Sequence, residues 1–309
     1  MTAKSLILKF KVMNINLLDR LKRAGDLSIS VKPIYKNDNN EILLKNFLTK
    51  QKFLNSNEIF EILKINFDED QPIGYILMKD KNVVGFLGTI FSKRPIKEKI
   101  IDHCYLHSWV VFERYRLAAF KLILPIIKKN IFISTYSPIK SLMGLYKKLG
   151  FEEAQFFSKF IPSLFFLRWK TNDLNCSDDI SFFEKFLSNK DRIVLKDHNF
   201  TNTQKLFIYF NKNTHDNVFM IVKKKTKKLV IPILELIYIS DFKKFKSYEK
   251  KIGFELLKKY KPILFKFNSI DKSDTFSNKY FFTKIVKKNV YYLNRPLDFK
   301  FDILYSELV

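Results

Sequence analysis

Leu106-His107-Ser108-Trp109-Val110-Val111-Phe112-Glu113-Arg114-Tyr115-Arg116-Leu117-Ala118-Ala119-Phe120-Lys121-Leu122 reads as a buried strand, a basic turn and the first turn of a helix. That succession can hold a pyrophosphate. Backbone N–H groups and the positive end of the helix dipole face the anion together. The turn contains no glycine. Downstream, Leu145-Tyr146-Lys147-Lys148-Leu149-Gly150-Phe151 ends a second helix, with Gly150 as its stop.

Working outward, the hydrophobic pattern predicts a strand over residues 29–35, then a capping turn and a helix over 41–49. A second helix fits 56–66. Strands at 74–79 and 83–91 form a hairpin around Asp80-Lys81-Asn82. The central strand spans 102–112, and a helix bent at Pro125 spans 117–130. A strand at 131–136, a helix from Pro138 to residue 149 and a strand at 151–157 complete this unit. Residues 1–28 read as an N-terminal helical extension, with an amphipathic helix near 14–23.

The remainder repeats the order coarsely. Strands fit 218–223 and 229–239 around a lysine-rich turn. A helix fits 245–260, a strand 263–267, a helix 274–287 and a last strand 290–294, with a tail through 299–305. No sequence repeat aligns the two parts, so a tandem arrangement and an unrelated α/β cap both stay open. The boundary falls between Phe157 and Asp179. The expected division is 1–28, 29–165 and 166–309.

The chain has 309 residues and 47% hydrophobic content, which suffices for one large core or two modest ones. Its 33 Phe predict a phenylalanine-rich interior, and its 7 Gly and 9 Pro argue against long flexible linkers. A net charge of +25 favours anionic partners. AT-rich codons, which supply Lys, Asn, Ile and Phe alike, explain the same balance. The basic residues are spread out, without the dense tract of a nucleic-acid arm. Cys104 and Cys176 make neither a disulfide framework nor a zinc site, and His198 and His215 lack ligand spacing to them. No metal site is expected. No P-loop, Rossmann or Gly-x-Ser-x-Gly fingerprint occurs. The N-terminus reads as neither signal peptide nor membrane span, so a cytoplasmic protein is expected.

The two quoted segments and the element order resemble the GNAT superfamily of acyl-CoA N-acyltransferases. The resemblance implies an α/β (α+β) fold with a mixed, mostly antiparallel sheet flanked by helices, followed by a second GNAT-like or α/β domain. It implies binding of acetyl-CoA or another acyl-CoA. In the family, the loop Arg/Gln-x-x-Gly-x-Gly/Ala wraps the pyrophosphate. Here that loop is Arg116, Leu117, Ala118, Ala119, Phe120 and Lys121, with Ala119 and Lys121 in place of the glycines. A Cβ there limits backbone approach to phosphate. Val110 and Val111 stand where the family's strand offers backbone groups to pantetheine.

Tyr146 matches the tyrosine that protonates the departing thiolate, and a phenol is protonated at pH 7. His107, four residues before Val111, matches the strand base, and an imidazole titrates in the useful range. Strand alternation sets Tyr105, His107, Trp109 and Val111 on one face. His103, beside Asp102, is a second candidate. The implied reaction is acyl transfer to a primary amine of a small molecule or sugar, an amino sugar of bacterial surface polysaccharide being one such acceptor. Two alternatives remain: a non-catalytic GNAT-like binding module, and a Fem-type aminoacyl-tRNA-dependent transferase.

Overall fold

A computed structural model describes residues 28–51, 63, 68–96, 99–136, 138, 140–167, 174–198, 203–210, 216–227, 230–269 and 284–296. The helix expected near 14–23 and the tail at 299–305 lie outside the described residues. So does the helix expected at 56–66, apart from Leu63, which is helical.

Among the described residues, twelve strands form a single sheet: β1 (Ile29–Ile34), β2 (Gly74–Lys79), β3 (Asn82–Ile96), β4 (Lys99–Val111), β5 (Phe132–Thr135), β6 (Glu152–Pro162), β7 (Leu174–Ser177), β8 (Gln204–Phe210), β9 (Asn217–Lys227), β10 (Ile231–Ile239), β11 (Leu264–Ser269) and β12 (Lys284–Leu293). Their spatial order is β1-β2-β3-β4-β5-β12-β6-β11-β10-β9-β8-β7. This order reads the same from both ends. β1 to β5 and β7 to β11 run inward from opposite edges, and β12 and β6 lie between β5 and β11 at the centre. β12 pairs antiparallel with β5, β6 pairs antiparallel with β11, and the two pair antiparallel with each other. β4–β5 and β10–β11 are the parallel pairs.

The sheet is mixed and mostly antiparallel, as expected, and helices cover it. These include α1 (Asn40–Thr49), α2 (Lys140–Lys148), α3 (Asn189–His198) and α4 (Glu249–Tyr260). Residues 284–287 are strand, which corrects the helix expected through residue 287. Lysine-rich composition suggests a helix there, but Ile285, Val286 and Val290 are β-branched, and the segment pairs along its length with β6. The helix expected over 117–130 also differs. A 3-10 helix runs over Glu113–Leu122, and a short α-helix follows at Leu124–Ile127. Pro125 lacks an N–H and would crowd the carbonyl of Lys121 in a continuous α-helix, so it sits in the first turn of the second segment instead.

One apolar cluster spans the two parts of the chain: Ile90, Tyr105 and Phe132 pack with Phe183, Phe207 and Phe219. On the opposite face, Leu77, Leu87, Leu106, Leu122, Ile133 and Tyr146 share a second cluster. Full burial of each such side chain contributes about 1.5–3 kcal/mol relative to exposure.

The sheet centre also holds a buried polar knot. Glu235, 2% exposed, pairs with Lys266 and Lys225, each at 2.5 Å. Asn268 Nδ2 donates to Glu235 at 3.0 Å, and Ser158 Oγ donates to Asn268 Oδ1 at 2.6 Å. The knot therefore links β9, β10, β11 and β6.

Candidate active site

β4 and β5 separate partway along their length. They pair only from His103↔Phe132 to Tyr105↔Ser134, while β4 continues to Val111. Beyond Tyr105, no β5 residue faces β4 among the described residues. One edge of residues 106–111 is thus left to accept an extended ligand by strand addition.

A β-bulge accompanies the separation. Gly88 faces His107 and Phe86 faces Val110, so β4 carries one extra residue between these pairs. Ser108 takes the strain, with φ of 46°. The bulge reverses the alternation. His107 stays on the face of Tyr105, over Gly88, whereas Trp109 joins Leu106 and Tyr146 in the opposite cluster. This corrects the single-face expectation for Tyr105, His107, Trp109 and Val111, because an inserted residue shifts every later side chain to the other side.

At the separation lies a cavity of about 150 Å³. His107, Ser108, Trp109 and Val110 line it from β4, Thr135 from β5 and Tyr146 from α2. Leu87, Leu106 and Leu142 supply apolar wall. Three of the residues singled out by sequence, His107, Val110 and Tyr146, therefore line one cavity, the His107 ring on the Tyr105 face of the sheet and Tyr146 on the other. Val111 follows at the end of β4, half-buried against the cluster that contains Tyr146.

The segment from Arg116 to Lys121 lies outside this lining. The helix starts at Glu113, four residues earlier than expected, so the amides of 117–121 fall within a 3-10 helix and face carbonyls three residues back. The amides that lead the helix are those of Glu113 and Arg114. Arg116 Nη1 pairs with Glu113 Oε1 at 3.1 Å on the surface, and Leu117 is 75% exposed. Ala119 and Phe120 are buried, Ala118 is half-buried, and Lys121 Nζ donates to the Ile29 carbonyl at 3.3 Å.

Tyr146 is buried among aromatic rings. Trp109 meets it edge-on at 5.6 Å, Phe151 is tilted at 5.1 Å and Tyr291 stacks on it at 5.4 Å. Burial pushes its phenol well above the ordinary value of 10, against a hydrogen bond with the Thr135 side chain that pulls the other way. The phenol therefore stays protonated across the physiological range.

His107 Nδ1 lies 3.0 Å from Ser108 Oγ, and burial pushes the imidazole down to about 3. It is neutral at pH 7, outside the titration range expected for a free imidazole. His103 is buried between Ser134 Oγ at 2.8 Å and Ser92 Oγ at 3.3 Å, and burial likewise lowers it. Those contacts hold the His103 ring between β3 and β5.

Thr135 and Ser108 carry no sequence signal of their own and were not anticipated. The indole Nε1 of Trp109 is buried with no hydrogen-bond partner among the described residues, in the wall of the cavity. An orphaned donor is costly unless something supplies an acceptor, and the amide or thioester carbonyl of a ligand would do so. No group of His, Cys, Asp or Glu able to hold a metal ion occurs among the described residues.

The His107 ring packs so closely on β3 that a Cβ at Gly88 would fall 2.2 Å from its Cε1. Gly88→Ala is expected to displace the ring and to destabilise the fold by about 1–3 kcal/mol, as overpacking does. Urea unfolding checks this. An unchanged midpoint would mean that the ring moves freely.

The amino-acid sequence matches no family model and no curated protein. Its architecture does match solved structures. One is a GCN5-related N-acetyltransferase from Anabaena variabilis ATCC 29413, with a TM-score of 0.58, 13% identity and coverage of 85% of this chain and 72% of that one. Another, from Kribbella flavida, has a TM-score of 0.56 and 8% identity, covering 85% and 71%. The Saccharomyces cerevisiae N-myristoyltransferase with bound myristoyl-CoA has a TM-score of 0.53 and 11% identity, covering 89% and 81%. At these identities the likeness is one of fold alone, shared with the GCN5-related N-acetyltransferases and the N-myristoyltransferase named above.

Proposed function

We propose that this chain, which has the GNAT fold, is an acyl-CoA N-acyltransferase that moves a short acyl group to a primary amine. One observation carries the reading. Where β4 parts from β5, a cavity opens that is walled by a buried, protonated tyrosine and an orphaned indole N–H. The arm of CoA would lie along the free edge of residues 106–111 as an added strand. Val110 and Val111 would contribute backbone groups to it. The phosphates would meet the leading amides of the 3-10 helix at Glu113 and Arg114, together with the Arg116 guanidinium. The family's cradle is thereby shifted toward β4, and Ala119 and Phe120 pack the body of that helix.

Cavity size supports a short acyl group. A pocket of about 150 Å³, walled by both polar and apolar side chains, has room for a group of roughly benzene size. The reacting end of acetyl-CoA, namely methyl, carbonyl, sulfur and the adjoining two carbons, is about that large. A myristoyl chain is far larger.

The chemistry is direct transfer. The amine nitrogen attacks the thioester carbon, a C–N bond forms and the C–S bond breaks. Tyr146 gives its proton to the departing sulfur and is reprotonated from solvent. His107, neutral at pH 7, accepts a hydrogen bond from the attacking amine, whose surplus proton passes on to water. The products are an amide and CoA thiol. The acceptor is a small molecule or a sugar that carries a primary amine.

The mirror order of the strands supports dividing the chain into GNAT-like halves over 29–165 and 166–309 that have exchanged their sixth strands. Among the described residues, no helix is long and apolar enough to cross a membrane.

Acetyl-CoA at 100 times its Kd is expected to stabilise the protein by about 2.7 kcal/mol. A thermal-shift titration checks this, and no shift at millimolar ligand would end the acyl-CoA reading. A shift without thiol release from any amine would leave a binding module in its place.

A further inference from the structure

Tyr146 belongs to the first part of the chain, but the ring stacked on it does not. Tyr291 lies on β12, in the second part. Its ring is 5.4 Å from that of Tyr146, at an interplanar angle of 20°. Tyr291 is 1% exposed and faces Thr135 across the β5–β12 pairing. Thr135 is the residue whose side chain hydrogen-bonds the Tyr146 phenol. The two cross-strand partners therefore grip one ring, Thr135 at its hydroxyl and Tyr291 across its face. Trp109 closes the edge.

On its other side, Tyr291 faces Glu153 across the β6–β12 pairing. Glu153 Oε2 pairs at 2.8 Å with Lys147 Nζ, the residue next to Tyr146 on α2. The end of α2 is thus fixed to the same central strands twice, once by charge and once by stacking.

We propose that Tyr291 is a positioning residue for the first half's transferase site, and that the exchange of β12 makes the second half a structural part of that site. This rests on the acyl-transfer reading above. Geometry favours it because α2 ends at Lys148 and reaches the cavity only through Tyr146 and Leu142. Without a ring behind it, the Tyr146 side chain gains rotamer freedom, and its hydroxyl leaves the position where a thiolate forms. Small displacements of a catalytic group are costly in rate.

The test uses the full-length protein with acetyl-CoA and an accepting amine, measured by thiol release. Tyr291→Leu removes the stack and Tyr291→Phe keeps it. Tyr291→Leu is expected to lower kcat about tenfold or more while changing the KM for acetyl-CoA by no more than about twofold, the pattern of an interaction needed only in the transition state. Tyr291→Phe is expected to restore kcat. A purely structural role would reduce the folded fraction and leave kcat per folded molecule intact.

If Tyr291→Leu, corrected for its folded fraction, matches wild type, the positioning role is overturned and the transferase reading stands. A rise in KM with unchanged kcat also overturns it. If wild type releases no thiol with any amine while acetyl-CoA binds, the transferase reading fails and Tyr291 has no reaction to position.

Discussion

Glu235→Gln is expected to destabilise the protein by about 3 kcal/mol, because removing one partner of a buried ion pair strands the other. Lys266 is 18% exposed on its side chain and would lose its buried counter-charge, while Lys225, at 42%, can turn to water. Burial pushes the Glu235 carboxyl up, but the two lysines outweigh it and hold the group at about 2. An unfolded glutamate titrates near 4.3. A depressed native value means that the folded state binds the proton less readily. The stabilisation is therefore fully present above about pH 5 and is lost as pH falls through the native value near 2.

Two measurements check this. Urea midpoints at pH 7 should fall in Glu235→Gln. Between pH 5 and 2, wild type should lose stability more steeply than the variant. Equal midpoints at pH 7 would show that the knot contributes nothing net. The position explains why the effect is global: through Asn268 and Ser158, Glu235 fastens β6 to β11. Loosening that seam opens the sheet where its two parts join.

Much of the first half was legible in its sequence because the deciding signals are local. Asp80-Lys81-Asn82 sits between two apolar runs and turns the hairpin, with Asp80 at φ of 55°. Gly150, at φ of 84°, stops α2 where a side chain would be strained. The aromatic and β-branched content of 102–112 suits a strand in the sheet interior, and β4 covers residues 102–111 of it. What escaped depends on partners distant in sequence. Nothing around Ser108 announces a bulge, since a serine with a positive φ looks like any strand serine. Nothing in Lys-Lys-Asn-Val-Tyr-Tyr announces that Tyr291 will stack on Tyr146. The strands and helix between 174 and 210 were not anticipated either, although Asp179 caps its helical turn by accepting from the amides of Ser181 and Phe182. The site was half legible for the same reason. The phenol and imidazole announce their chemistry by type, but their burial and the hydroxyls that hold them are set by the fold.

Tyr146→Phe is expected to lower kcat by about 100-fold or more, the usual worth of a positioned proton donor, with the Kd for acetyl-CoA unchanged. The substitution removes one oxygen and keeps the ring, so the stacks with Tyr291 and Trp109 survive. Its structural cost is the lost hydrogen bond with Thr135, about 1 kcal/mol. A thermal shift with acetyl-CoA isolates binding from turnover. The pH dependence adds an independent check. With the Tyr146 phenol held well above 10 and His107 at about 3, neither group changes charge between pH 5 and 9. Any rise in rate over that interval must come from deprotonation of the acceptor amine, and it should move with the amine's own pKa when acceptors are exchanged. A limb fixed near pH 6.5 for every acceptor, and lost in His107→Ala, would show that His107 titrates as an exposed imidazole. Wild-type turnover in Tyr146→Phe would remove the phenol from the reaction, and the proton for the departing sulfur would then have to come from water entering where β4 and β5 part.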